Sequence, residues 1–183
     1  GSSLRTNERT ASDAVSGAIG TLIHWHTTSS LDSAYQLNDG RDYARDRNPT
    51  LLFAEHLLAA LERGPAAMTF ASGMAAATTV FRTLCKPGDH IIAPRVSYFA
   101  IRKWLQHFGA TWGVDVELVD TTNFEAVAAA MRPGKTRLMW FETPANPTWE
   151  VTDVARAAGL AHPAGASCAA GPCGSTGAIE FFT

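Results

Sequence analysis

Residues 86–142 read KPGDHIIAPRVSYFAIRKWLQHFGATWGVDVELVDTTNFEAVAAAMRPGKTRLMWFE. Short apolar runs alternate here with longer segments of helical spacing. His90 to Ala93, Val114 to Val119 and Arg137 to Phe141 read as strands. Tyr98 to Phe108, closed by Gly109, and Phe124 to Met131 read as helices. Lys86 to Asp89 and Arg132 to Gly134 are turns. Such alternation predicts an α/β fold, a mostly parallel sheet with helices on both faces. Upstream, Asn48-Pro49 is a helix start, with Asn as cap and Pro at the first helical position. Leu51 to Leu61 follow at helical spacing, and Gly64 is the stop. Ala66 to Phe70 reads as a short buried strand and Met74 to Leu84 as a small-residue helix. Downstream, Val154 to Leu160 is a helix. A further strand is due after His162, but 11 of the last 17 residues are Ala, Gly, Ser, Cys or Pro. That composition supports no buried strand, and Ile179 to Phe182 is too short to replace one. The sheet is expected to stop there with an apolar edge.

The 183 residues suit one domain or a little more. Apolar residues make up 46% and charged residues 17%, enough for a core and too little charge for a disordered chain. A formal charge of −2, with no Lys/Arg run, argues against nucleic-acid binding. No apolar stretch approaches the roughly 18 residues that span a bilayer, and no signal peptide is visible. The three cysteines, Cys85, Cys168 and Cys173, lack CxxC spacing and fit neither a disulfide framework nor a zinc site. A reducing cytoplasm is the expected compartment. Residues 1–47 read as an extended arm.

Ligands of open parallel sheets sit beyond the carboxyl ends of the strands. Three loops fall there. Phe70-Ala71-Ser72-Gly73-Met74 enters a helix, where backbone N–H groups suit a phosphate; a plain tight turn is the alternative. At Val96-Ser97-Tyr98 an aromatic could stack on a flat ligand, or pack in the core with Phe99, Ile101 and Trp104. Glu142-Thr143-Pro144-Ala145-Asn146-Pro147 is stiffened by two prolines and carries an amide that donates and accepts, or is an ordinary Asn-capped turn. Tyr43 and Arg45 could bind phosphate or form a solvated loop. His24 and His26 form an HxH pair without supporting ligands, so no metal is expected. His56, His90 and His107 read as packing residues, and Cys168 with Cys173 as reactive thiols.

YARDRNPT, FASGMAA, LCKPGDHIIAP, SYFAIRKWL and VELVDTTNFEAVAAAMRPGKTRLMWFETPANP occur in this order. Together they resemble the Cys/Met-metabolism family of pyridoxal-phosphate enzymes, from about Ser16 to Ala166. The resemblance implies the N-terminal portion of a fold-type I large domain, truncated: an arm over 1–47, a partial cofactor domain over 48–166 and an aberrant tail over 167–183. It implies pyridoxal 5′-phosphate held at its phosphate by Ser72, Gly73 and Met74. Tyr98 would stack on the ring and help move protons. Asn146 would hydrogen-bond the ring, supported by Glu142, and Tyr43 and Arg45 would reach a neighbouring subunit's phosphate. A homodimer or homotetramer follows. Substrates would be amino acids of the cystathionine, O-acylhomoserine, methionine or cysteine class, undergoing elimination or replacement. Phe99-Ala100-Ile101 departs from the Gly-x-Thr stretch that follows the tyrosine in many members.

Pyridoxal chemistry also needs a lysine amine and an acidic partner for the ring nitrogen. The resemblance puts the acid at the end of the strand after the helix closing at Leu160, and the lysine later, in a Ser-x-x-Lys-type segment. Lys86, Lys103 and Lys135 are the only lysines, and none matches that position. These residues are therefore expected to lack turnover and to bind the cofactor weakly. The alternative is a non-catalytic module for binding or oligomerisation.

Overall fold

The computed structural model describes residues 23–38, 43–45, 47–171 and 179–182. The chain divides into two compact units, Gly1–Thr69 and Phe70–Thr183.

In the first unit, α1 spans Pro49–Leu61. Asn48 caps it, its side chain accepting from the Thr50 N–H, and its amide donates to the His24 carbonyl at 3.0 Å. Isolated bridges join Thr28 to Tyr43 and Leu31 to Leu37. No residue of α1 is buried, and Leu57, Leu58 and Leu61 are all exposed. The strand expected over Ala66 to Phe70 does not form. Thr69 instead directs its N–H and its hydroxyl to Glu55 Oε1, at 2.8 and 3.0 Å, and Met68 is 72% exposed. A side chain takes the hydrogen bond that a ladder partner would have taken.

The second unit is built on a sheet ordered β2-β1-β3-β4-β5. Its elements run α2 (Gly73–Leu84), β1 (His90–Pro94), α3 (Phe99–Trp112), β2 (Asp115–Val119), α4 (Phe124–Ala130), β3 (Thr136–Glu142), α5 (Val154–Ala161), a 3-10 turn (His162–Ala164), β4 (Ser167–Gly171) and β5 (Glu180–Phe182). The first four strands are parallel; β5 runs antiparallel to β4. Both faces are covered. Ile91, Ala93, Leu138 and Trp140 pack with Phe81 of α2 and Leu105 and Phe108 of α3. Ile92, Met139 and Phe141 pack with Val127 and Ala130 of α4 and with Ala157 and Ala161 of α5. This double burial is why β1 and β3 read as continuous apolar runs rather than alternating ones. Side-chain caps from Asn123 and Asp153 start α4 and α5.

Two expectations about the sheet are corrected. The stretch from Ser167 does form a strand: Cys168, Ala169 and Ala170 are buried between β3 and β5, and the short Glu180–Phe182 segment supplies the edge. Its small side chains suffice because β3 supplies large ones. A Cβ on Gly171 would meet the Trp140 ring at 3.4 Å. Small beside large fills space as well as two medium residues do.

Gly109 does not end α3. The helix continues to Trp112 and stops at Gly113, whose φ of 70° is left-handed. Gly109 serves close approach instead: a Cβ there would stand 2.8 Å from the Val114 carbonyl oxygen and 3.1 Å from Val116 Cγ2. Gly109→Ala should therefore destabilise by about 1–3 kcal/mol despite alanine's better helix propensity. Chemical denaturation checks this, and a gain in stability would contradict it.

His90 is buried as expected, with Nδ1 2.8 Å from Thr136 Oγ1. Its Nε2 lies 3.3 Å from Glu117 Oε2 without the alignment of a hydrogen bond. His56 and His107 are exposed, not packed. Cys168 is no reactive thiol: it is fully buried, and burial pushes its pKa up to about 11, as it pushes Cys85 up to about 12. Cys173 lies outside the described residues. No described helix is long and apolar enough to cross a membrane.

Candidate functional site

The strand order makes a switch point. From β1 the chain passes through α3 to β2 on one side, then through α4 to β3 on the other. Loops leaving β1 and β3 thus diverge around a crevice at the carboxyl end of the sheet, the place where open α/β sheets take ligands.

Glu142 ends β3 and stands at that crevice, 2% exposed. Its carboxylate accepts from the Tyr98 N–H at 3.1 and 2.9 Å, one contact to each oxygen, and from the Asn146 N–H at 2.9 Å. One side chain thereby ties the loop after β1 to the loop after β3. Burial raises the Glu142 pKa, and the two backbone N–H groups oppose that rise. The loop after Glu142 has cis peptide bonds at Thr143-Pro144 and Asn146-Pro147, and closes through the Ala145 N–H to the Glu150 carbonyl at 2.8 Å.

Tyr98 is half-buried and belongs to neither core cluster. Its ring meets only Phe99, edge-on at 5.1 Å, among the described ring contacts, and Phe99 is 65% exposed. Core packing therefore accounts for Ile101 and Trp104 but not for Tyr98 or Phe99. At the start of α2, Ser72 Oγ accepts from the Ala75 N–H at 3.1 Å and the Ser72 carbonyl from the Ala76 N–H. The Gly73 and Met74 N–H groups, in the first turn, have no intrahelical acceptor. Tyr43 and Arg45 lie in the first unit, both exposed, with the Arg45 guanidinium 5.8 Å from the Tyr43 ring centre. His24 and His26 meet edge-on at 6.3 Å.

Sequence reading missed a neighbouring cavity of about 140 Å³, lined by Arg95, Asp120, Thr121, Glu150 and Thr152 among others. Thr121 and Thr152 are buried and bond each other at 3.2 Å. The available signal was position alone: Arg95, Asp120 and Thr121 directly follow the ends of β1 and β2.

The model of the family described as Cys/Met metabolism PLP-dependent enzyme matches residues 3–178. The chain belongs to that family. The match reaches past Ser167, so it includes β4. Cystathionine gamma-synthase of Mycobacterium tuberculosis is 36% identical over 148 residues, covering 81% of this chain and 38% of that relative. L-methionine gamma-lyase of Pseudomonas deceptionensis is 43% identical over 123 residues, covering 67% of this chain and 31% of the relative. The crystal structure of cystathionine gamma-lyase from Lactobacillus plantarum, complexed with L-serine, superposes with a TM-score of 0.78 at 34% identity, covering 88% of this chain and 42% of that one. The chain thus spans about a third to two fifths of the length of these relatives.

Proposed function

We propose that the crevice between the β1 and β3 loops binds pyridoxal phosphate in a protein of sulfur amino-acid metabolism, of the cystathionine γ-synthase or lyase kind. The observation that carries this reading is Glu142 holding both the Tyr98 and the Asn146 loops at the switch point. The Gly73 and Met74 N–H groups and the Ser72 hydroxyl would receive the phosphate. The Tyr98 ring would lie against the cofactor ring, and the Asn146 amide would hydrogen-bond its edge. When bound, pyridoxal phosphate supplies an electron-withdrawing ring that acidifies the α-carbon of an attached amino acid. Substrates would be amino acids of the cystathionine, O-acylhomoserine, methionine or cysteine class.

The residues present suit the cofactor's phosphate and ring face. They do not suit its aldehyde: Lys86 and Lys135 precede β1 and β3, at the opposite end of the sheet, and Lys103 is exposed on α3. With no amine placed to anchor the aldehyde, these 183 residues by themselves are read as binding without turnover. Assembly as a homo-oligomer is supported by α1, an apolar helix with no buried residue. The same helix favours a second reading, a module that only oligomerises. Two buried thiols, Cys85 and Cys168, suit a reducing cytoplasm.

Hydrogen–deuterium exchange with pyridoxal phosphate tests the pocket. Protection is expected over residues 72–76, 97–100 and 142–146, with affinity reduced roughly tenfold by Ser72→Ala. Protection confined to other segments would contradict it and leave the oligomerisation module.

A further inference from the structure

The family pattern puts an acid at the end of the strand that follows α5, and that strand is now visible as β4. It ends at Gly171, paired with Glu142 across the β3–β4 ladder. No Asp or Glu occurs between Asp153 and Glu180. Among the carboxylates whose side chains are described at this end of the sheet, Glu125 starts α4 after β2, three strands from β4, and the nearer ones are engaged. Glu142 is engaged by the Tyr98 and Asn146 N–H groups. Asp120 Oδ1 accepts from the Thr122 N–H at 3.0 Å and its hydroxyl at 2.7 Å. Glu150 Oε2 accepts from the Thr148 hydroxyl at 2.9 Å, and Asp153 caps α5. The backbone at Gly171 is no obstacle to a side chain: its φ lies outside the left-handed range, and a Cβ would meet Trp140 at 3.4 and 3.5 Å and Ile179 Cγ1 at 3.6 Å, ordinary contacts.

We infer that this crevice selects a phosphorylated aromatic ligand by its phosphate and ring face alone, and scarcely distinguishes a pyridine from the matching benzene ring, because β4 ends in Gly171 and carries no carboxylate of its own to hold a pyridinium. The inference rests on the pocket proposed above. A carboxylate paired with a ring N–H⁺ favours the pyridine by a charge-assisted hydrogen bond, a preference of roughly ten- to a hundredfold. Without it, stacking and phosphate contacts are common to both rings.

The probes are 4-deoxypyridoxine 5-phosphate, which has no aldehyde to react with lysines, and its analogue with C–H in place of the ring nitrogen. Both are titrated against the 183-residue chain at about pH 7.5, where a paired carboxylate is ionised, following tryptophan fluorescence. The two dissociation constants are expected to agree within about threefold. Gly171→Asp should then favour the pyridine at least tenfold, and Gly171→Ala should behave as the native chain does. A tenfold or greater pyridine preference in the native chain overturns the inference while leaving the pocket standing. Saturable binding of neither probe overturns the pocket and the inference with it. The native ratio decides even if Gly171→Asp fails to fold.

Discussion

Glu142→Ala should lower the unfolding free energy of the second unit by about 3 kcal/mol, with a fall in Tm of roughly 10 °C. The carboxylate is 2% exposed and accepts from the Tyr98 and Asn146 N–H groups. Alanine leaves both donors without their acceptor, and each unpaired buried group costs about 1–3 kcal/mol. Glu142→Gln keeps one acceptor oxygen and should cost about half as much. The two variants also separate by pH. Burial raises the folded-state pKa of Glu142 above its ordinary 4.5. The folded chain therefore holds this proton more tightly than the unfolded one. The stability this group contributes is fully present below pH 4.5 and is lost as pH rises through the folded pKa. Glu142→Gln removes that slope. Denaturant titrations from about pH 4 to about pH 8 read both effects. An alanine variant as stable as the native chain would show that the two loops hold themselves in place.

Much of this arrangement was legible in the residues. β1 and β3 declared themselves by unbroken apolar runs, since both faces of a parallel sheet are covered. Asn48 marked a helix start by the chemistry of its side chain. β4 was not legible because its identity depends on a partner: Ser-Cys-Ala-Ala-Gly is a strand where Trp140 and Phe141 fill the space beside it. Gly109 misled for a related reason, since a glycine required by the close approach of Val114 looks in sequence like one that stops a helix. Ala66 to Phe70 had the composition of a strand but no strand to pair with. Within the site, the order of motifs singled out Ser72, Tyr98, Glu142 and Asn146. The hydrogen bonds that join Tyr98 to Glu142 span 44 positions and had no local signal.

The second large effect concerns chemistry. With pyridoxal phosphate and a sulfur amino acid, these 183 residues should release α-keto acid no faster than the free cofactor does. A covalent link needs an amine within reach of the aldehyde, and a strand rises about 3.3 Å per residue. Lys86 and Lys135 lie before strands of 5 and 7 residues, which puts them roughly 17–23 Å from the carboxyl ends. Lys103 lies one turn into α3, on its exposed side. In the proposed pocket β4 would offer the cofactor ring no acid either, because it ends in Gly171.

Borohydride reduction of the chain saturated with pyridoxal phosphate, followed by peptide mass mapping, reads this most directly. No lysine is expected to carry the reduced cofactor stoichiometrically, while exchange protection over 72–76, 97–100 and 142–146 shows the crevice filled. One adduct per chain on Lys86, Lys103 or Lys135, saturating together with that protection, would contradict it.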